Sequence, residues 1–315
     1  MATNDNPLDI LIIGGSGFVS GTMARAALSQ GHEVSTLTRG QRPVPTGVHS
    51  LVADRHDEAS FEQAVQHAGH QGGHQGRKQW DLVIDCIGFE AADARQDLAV
   101  FRERTPHLVF ISTDFVFDPA HRRFPQPEET EYYSDTGYGG QKRRCELEFI
   151  NGDAGDMQWT ILRSCHIYGP GSLLGCLPTH GRDPQLLEKM KAGEALKLVG
   201  GGHFLQQPIL AEDLADVALS CHGNAATYGE IFCCAGPEII ESRAFYQIIA
   251  DIIDVELTKI EELPVAAFLA DDPESAPFLC HRIYDLGKLK AAGLAVPSTP
   301  VAEGLRAHVE SILTE

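Results

Sequence analysis

The chain has 315 residues, with 44 acidic against 25 basic side chains and a formal net charge of −19. Such a field repels a phosphate backbone and argues against a general nucleic-acid binder, while leaving room for a small phosphorylated ligand held by local arginines or helix N-termini. With 43% hydrophobic and 22% charged residues the composition is that of a water-soluble globular protein, and no apolar run reaches the ~18 residues of a membrane span.

The N-terminal MATNDNP lacks the basic and apolar regions of a signal peptide. LDILIIGG then reads as a buried strand and Val19 to Gln30 as a helix. HEVSTLT and SLVADR are two further strands, Ser60 to His67 a helix, WDLVIDCIG a strand and Ala91 to Arg104 a helix. HLVFIST, a helix from Tyr138 to Asn151 and a strand WTILRSCHIYG complete the series. Strand–helix alternation predicts a parallel sheet covered on both faces, a Rossmann-like doubly wound α/β fold.

After Gly169 glycine and proline become frequent, interrupted by helices at Pro184 to Ala192, Glu212 to Cys221 and Arg243 to Ile253. The expected division is a dinucleotide-binding unit over 1–175, to which 207–235 returns through IFCCAG, and a smaller substrate lobe from 176–206 and 236–315. Eight cysteines without a C-x-x-C pair, several in apolar runs, read as buried thiols in a reducing cytoplasm. The segment Gln66 to Gln79 carries His67, His70 and His74 but no acidic or cysteine partner, so it reads as a polar loop and no metal is expected.

Chemistry concentrates at two places. IGGSGFVSG follows the first strand and opens the first helix, with Gly14 and Gly17 spaced G-x-x-G and Ser20 where a third glycine would stand. A pyrophosphate needs this close backbone approach and the free N–H groups of a helix N-terminus. Gly14, Gly17, Phe18 and Val19 are therefore candidate cofactor contacts, as is Ile87 after the fourth strand. Ser20 in place of glycine is expected to loosen helix–strand packing without abolishing binding. LTRGQRP at the end of the second strand offers Arg39 and Arg42 and no acid, which favours NADP(H) over NAD(H) because guanidinium suits a 2′-phosphate. Asp54, after the third strand, is placed to reach the adenine edge.

The second place is YGGQKRRCE, where Tyr138 and Lys142 share one helix face and two glycines follow the tyrosine. Gly139 and Gly140 read as keeping the surface beside the tyrosine low, and Arg143 and Arg144 as a solvated face. The order and spacing of GGSGFVSG, STDFVF, YGGQK, LRSCHIYGPG and ILAEDLADVAL resemble the extended short-chain dehydrogenase/reductases, the NAD-dependent epimerase/dehydratase group, over nearly the whole chain.

The resemblance implies Tyr138 as general acid/base, Lys142 as the holder of the nicotinamide ribose that lowers the tyrosine pKa, and Thr113 as a second hydrogen-bonding group on the substrate oxygen. A phenol near its ordinary pKa of about 10 is a poor base at neutral pH, and a nearby ammonium favours the phenolate. Ser112 reads as a supporting hydroxyl and Arg163 as structural. His166 lies where the family places a residue beside the nicotinamide.

In STDFVF only Asp114 follows the threonine, so the acidic pair of the family's dehydratases is missing and a reductase or epimerase is implied. Gln206 stands where nucleotide-sugar enzymes of the family often carry an arginine, which weakens a diphosphate substrate. Arg282 is the candidate substitute, against the alternative of a surface ion pair. The substrate implied is a sugar or sugar nucleotide, with a homodimer by analogy. Two other readings use the same fold: a non-catalytic NAD(P)-sensing regulator, and an RNA-binding member similar to a plastid branch. The Tyr/Lys pair counts against the first and the net charge against the second.

Overall fold

The computed structural model describes residues 6–68, 79–257 and 259–314. Strands β1 (Asp9–Ile13), β2 (Glu33–Thr38), β3 (His49–Val52), β4 (Leu82–Asp85), β5 (His107–Thr113) and β6 (Gln158–Ser164) have between them helices α1 (Phe18–Ser29), α2 (Glu58–Ala68), α3 (Ala91–Phe101) and α4 (Gly137–Asn151). Ile10, Leu11, Ile12 and Ile13 are all fully buried, as required of a parallel strand between two helical layers. Seven strands lie parallel in the order Glu230–Cys234, β6, β5, β4, β1, β2, β3. The expected Rossmann-like doubly wound sheet is what forms. Strand order reverses between β1 and β4, which opens a crevice at their carboxyl ends.

Beyond β6 come α5 (Leu186–Lys191), α6 (Ala211–Ser220) and α7 (Ser242–Ile252). Alternate β1 residues feed two cores. Ile10 and Ile12 pack with Met23, Leu214 and Phe232, while Leu11 and Ile13 pack with Phe61, Phe101 and Phe149. A third cluster, built on Tyr168, Leu198, Phe245, Tyr246 and Leu305, stands apart from the sheet.

Two elements differ from the sequence reading. WTILRSCHIYG is not one strand: β6 ends at Ser164, and Ile167–Tyr168 pairs instead with Ile209–Leu210. A helix at Val301–Thr314, to which the sequence reading assigns no element, buries Val301, Gly304, Leu305, His308 and Val309 at helical spacing. Its internal glycine masks the signal, since Gly disfavours helix interiors, yet a Cβ at Gly304 would meet the Tyr168 hydroxyl at 2.5 Å.

His70 and His74 lie outside the described residues. The ring of His67 faces the Gln63 carbonyl at 2.7 Å, and no group of three metal-capable side chains occurs among the described residues. No helix among the described residues is long and apolar enough to cross a membrane.

Candidate active site

At the turn after β1, Gly14 and Gly15 have φ of 114° and 119°, a region that L side chains rarely adopt. Space forbids side chains there too: a Cβ on Gly15 would meet Thr36 at 2.5 Å, and one on Gly14 would meet Ser20 at 2.9 Å and Ile87 at 3.2 Å. Ser20 does not loosen the turn, contrary to expectation; its Oγ accepts the Gly17 N–H at 3.3 Å and closes the start of α1. The first-turn N–H groups of Phe18 and Val19 have no intrahelical acceptor, as at any helix start.

A cavity of about 410 Å³ faces this turn, lined by Gly15, Ser16, Gly17, Gly21, Arg25 and the Pro43–Thr46 loop. The bare backbone, the helix N-terminus and one guanidinium fit a dinucleotide phosphate. Arg25 is absent from the sequence candidates, although it stands one helical turn beyond Gly21. Arg39 and Arg42 are exposed. The Asp54 carboxylate accepts the His56 N–H at 3.0 Å in a tight turn.

Tyr138, Thr113 and Lys142 line one larger cavity of about 1180 Å³, together with Val19, Asp114 and His166. Tyr138 projects from the first turn of α4 between Phe89 and Phe115, each ring centroid 6.2 Å from its own. Its side chain lines this cavity and is 44% exposed. Burial, then the Asp114 carboxylate, push its phenol up to about 12, with Arg182 and a hydrogen bond from Thr113 pulling the other way. Lys142 is not among the principal groups acting on it, so the phenol moves opposite to the expected direction.

The reason is where the ammonium has gone. Lys142 is 1% exposed and donates to the carbonyls of Gly88 and Ile111, both at 2.7 Å, which leaves one of its three N–H groups free of these two. Burial lowers its pKa and the Asp85 carboxylate raises it. Asp85, at the end of β4, accepts the Ile87 and Gly88 N–H groups at 2.8 and 3.0 Å and meets Arg55 at 3.1 Å. Arg55 in turn is held by Asp93 and Asp97. Three carboxylates face one guanidinium, and the stress is divided: the Arg55 guanidinium and its own hydrogen bonds hold Asp85 low despite burial, while burial and the Asp85 charge push Asp97 well up.

Thr113 closes β5, and its Oγ1 accepts the Phe115 N–H at 3.2 Å. The turn behind it packs on α4 because Gly139 has no side chain: a Cβ there would overlap the Phe115 carbonyl. Gly140 likewise lies against the Asp135 backbone, 2.5 Å from where its Cβ would be. The glycines bring two backbones together rather than clearing room for substrate. Ser112 donates to Glu146 at 2.7 Å, and buried Arg163 grips the same carboxylate at 2.9 and 2.8 Å, both supporting roles. Arg143 joins Glu146 and lies over Tyr133, so it is more than a solvated helix face.

Asp114 is 1% exposed and does not face the cavity as a free acid. Arg282 donates to it through Nε at 2.7 Å and Nη2 at 3.0 Å, Tyr284 donates its hydroxyl to the same carboxylate, and Arg122 approaches at 3.6 Å. Burial opposes the charge, but Arg282, Arg122 and Tyr284 hold the carboxyl below its ordinary range. Arg282 is therefore no surface ion pair; the pair is buried. Gln206, 3% exposed, lies beside it through a backbone bridge, its Nε2 without an acceptor among the described residues.

His166 stacks edge-on against Phe245 at 5.6 Å, and burial with the guanidiniums of Arg282 and Arg182 drives its pKa down to about 3. Its imidazole is neutral at physiological pH. The far wall of the cavity comes from Phe268, Asp272, Glu274 and Phe278, none of which the sequence marks out, since they sit in a segment with no motif.

The same fold occurs in solved enzymes. UDP-glucose 4-epimerase from Thermotoga maritima, solved with UDP-glucose, superposes with a TM-score of 0.77 at 17% identity, covering 98% of this chain and 99% of that one. UDP-glucose 4-epimerase from Thermus thermophilus, solved with NAD, gives 0.72 at 19%, covering 97% and 99%. UDP-N-acetylglucosamine 4-epimerase from Methanobrevibacter ruminantium gives 0.78 at 15%, covering 98% and 99%. A curated relative, the chloroplast stem-loop binding protein of 41 kDa b of Arabidopsis thaliana, is 24% identical over 249 residues, 73% of this chain, which spans 59% of that protein. The family model for NAD dependent epimerase/dehydratase matches residues 10–235. The chain belongs to the NAD-dependent epimerase/dehydratase family.

Proposed function

We propose that this chain is an NAD(P)-dependent oxidoreductase or epimerase that moves a hydride at a hydroxyl- or carbonyl-bearing carbon of a sugar or sugar nucleotide, with Tyr138 as acid/base. The observation that carries the reading is the convergence of Thr113, Tyr138 and Lys142 on one cavity that also reaches Val19 of the glycine-rich helix start. A bound nicotinamide would supply or accept the hydride. The free N–H groups of Phe18 and Val19 would hold its phosphates, while Gly14 and Gly17, whose own N–H groups go to the Leu37 carbonyl and the Ser20 Oγ, shape the turn on which Ile87 packs. Lys142 offers its remaining N–H to a ribose hydroxyl. Tyr138 holds the proton that goes to, or comes from, the substrate oxygen, and Thr113 orients that oxygen by a hydrogen bond. A phenol pushed up to about 12 is protonated at neutral pH, so the proton is in place for the reductive direction, where a strongly basic alkoxide develops to take it.

Exposed Arg39 and Arg42 follow β2 with no acid beside them in LTRGQRP, which supports NADP(H) over NAD(H). The decisive experiment is Tyr138→Phe: turnover is lost while cofactor affinity stays within about two-fold of wild type, less than about 0.5 kcal/mol. Activity that survives the change sinks the assignment. A second reading, RNA binding, is favoured by the plastid stem-loop binding relative. The net charge of −19 opposes it. Retention of a stem-loop RNA on filters at low salt, lost on adding salt, decides between them.

A further inference from the structure

Resting on the hydride-transfer reading, we propose that the substrate carries no phosphate: it is an uncharged hydroxy- or keto-compound with one apolar face, and a nucleoside diphosphate group is rejected.

A diphosphate in a protein cleft is held by guanidinium or ammonium groups that are free to face it. Arg282 lines this cavity, but its Nε and Nη2 are both turned onto Asp114, with Tyr284 completing the carboxylate's shell. Asp114 is thus a built-in anion that occupies the guanidinium face a ligand phosphate would need. Lys142, the next cation, is 1% exposed, is bound to two carbonyls and has its remaining N–H committed to the cofactor ribose in the hydride-transfer reading. Among the lining residues that leaves Arg182. Arg122 lies behind Asp114 and off the cavity, and even counting it the acids lead.

The lining acids are Asp114, Asp118, Asp135, Asp272 and Glu274, and the last two sit on the wall facing the catalytic turn. His166 adds no charge at physiological pH. A dinucleotide brings further negative charge to the same cleft, so a second diphosphate would enter a lining in which acids already outnumber bases. What the cavity does offer is Phe115, Phe268 and Phe278, with Phe115 and Phe278 edge-to-face at 4.8 Å. An apolar face stacks on such a wall, and hydroxyls can reach His166 and the acids as hydrogen-bond acceptors.

The test is binding of UDP and UDP-glucose to full-length protein already saturated with dinucleotide, so that the adenine site is closed to them. Calorimetry on wild type should give a Kd weaker than about 1 mM for both. Asp114→Asn, which keeps the shape and frees Arg282, should tighten UDP binding by about ten-fold or more. Asp272→Asn/Glu274→Gln, in which the amide oxygen of Asn can still accept the Ser275 hydroxyl, should tighten it as well. Micromolar binding of UDP to wild type overturns the proposal, and so does a lack of response in both variants. Because the readout is affinity and not turnover, this result is separate from the Tyr138→Phe result. Loss of the enzyme reading would show as turnover that survives Tyr138→Phe, whatever UDP does.

Discussion

The Phe115 carbonyl oxygen lies where a side chain on Gly139 would begin. That contact joins the turn after β5 to the first turn of α4, and so sets Thr113 against Tyr138. Gly139 is the condition for this closeness and Gly140 for the approach of the Asp135 backbone, at a helix-propensity cost of roughly 1 kcal/mol each relative to Ala.

Gly139→Ala should therefore be far worse than an ordinary surface change. Overpacking against backbone costs about 1–3 kcal/mol, which thermal unfolding would register as a lower Tm. Turnover should fall at least about ten-fold while dinucleotide affinity is unchanged, because the glycine-rich turn is not involved. A variant with full activity would mean that the turn can shift without moving Thr113.

Removal of the Asp114 charge should move the pH dependence of alcohol oxidation. In that direction Tyr138 must act as base, and its phenol stands at about 12 partly because Asp114 is near. The rate should climb with pH through the alkaline range without a plateau below about pH 10. In Asp114→Asn the climb should begin at lower pH, since a carboxylate that disfavours phenolate is gone. A shift to higher pH would contradict the sign of this interaction.

Asp85 and Asp97 should differ sharply despite sharing Arg55. Asp85 is the charged partner, so Asp85→Asn leaves the guanidinium short of its counter-ion and costs about 3–5 kcal/mol. It also frees the Ile87–Gly88 turn on which Lys142 rests. Asp97 is pushed well up by burial and the Asp85 charge, so its ionised form is the less favoured of the two and Asp97→Asn should cost less than Asp85→Asn. Denaturant unfolding at neutral pH compares the two; equal losses would refute the unequal sharing.

Acid should destabilise the fold through Asp85, Asp114 and Glu146, each held below its ordinary range by arginine partners. A depressed folded pKa gives stability that is complete above the unfolded value, about 4, and is lost as pH falls through the folded value. Asp97, pushed up by burial and the Asp85 charge, acts in the reverse sense. The net expectation is a decline that begins as pH falls below about 6.5, where the unfolded state takes up protons that buried His107 and His166 do not, and that steepens below about pH 4 as the three carboxylates protonate. Glu146→Gln should make that decline shallower, measured by urea unfolding across the range.

NADP(H) selection should weaken in Arg39→Ala, by about ten-fold or more relative to NAD(H). An undiminished preference in that variant, read from separate titrations of the two cofactors, removes Arg39 from the site and leaves Arg42 and Arg25 to be tried.

The sheet is legible because its order rests on local patterns: apolar runs, a glycine turn and helices of ordinary length. HLVFIST forms β5 with the same ends, and Tyr138 and Lys142 come to one cavity as their spacing requires. The glycines of YGGQK stand out in the sequence at the right positions but suggest the wrong reason, since the backbone they meet includes a turn more than 20 residues earlier. The direction of the Tyr138 shift is not legible either, because it depends on where Lys142 points. Least visible is the tie between Asp114 and Arg282, 168 residues apart, with no periodicity to announce it.

That tie has a consequence for how such a chain could be recombined. Arg282 and Tyr284 reach the end of β5 from a late segment and neutralise a charge sealed inside an early one. A chimera that took residues 1–235 from this protein and the remainder from another member of its family would inherit Asp114 with Arg122 but without the two hydrogen-bonding partners, Arg282 and Tyr284. Modular exchange of the substrate-facing part is thus barred unless those side chains travel with it, and new specificity has to come by point changes on the Phe268–Phe278 wall.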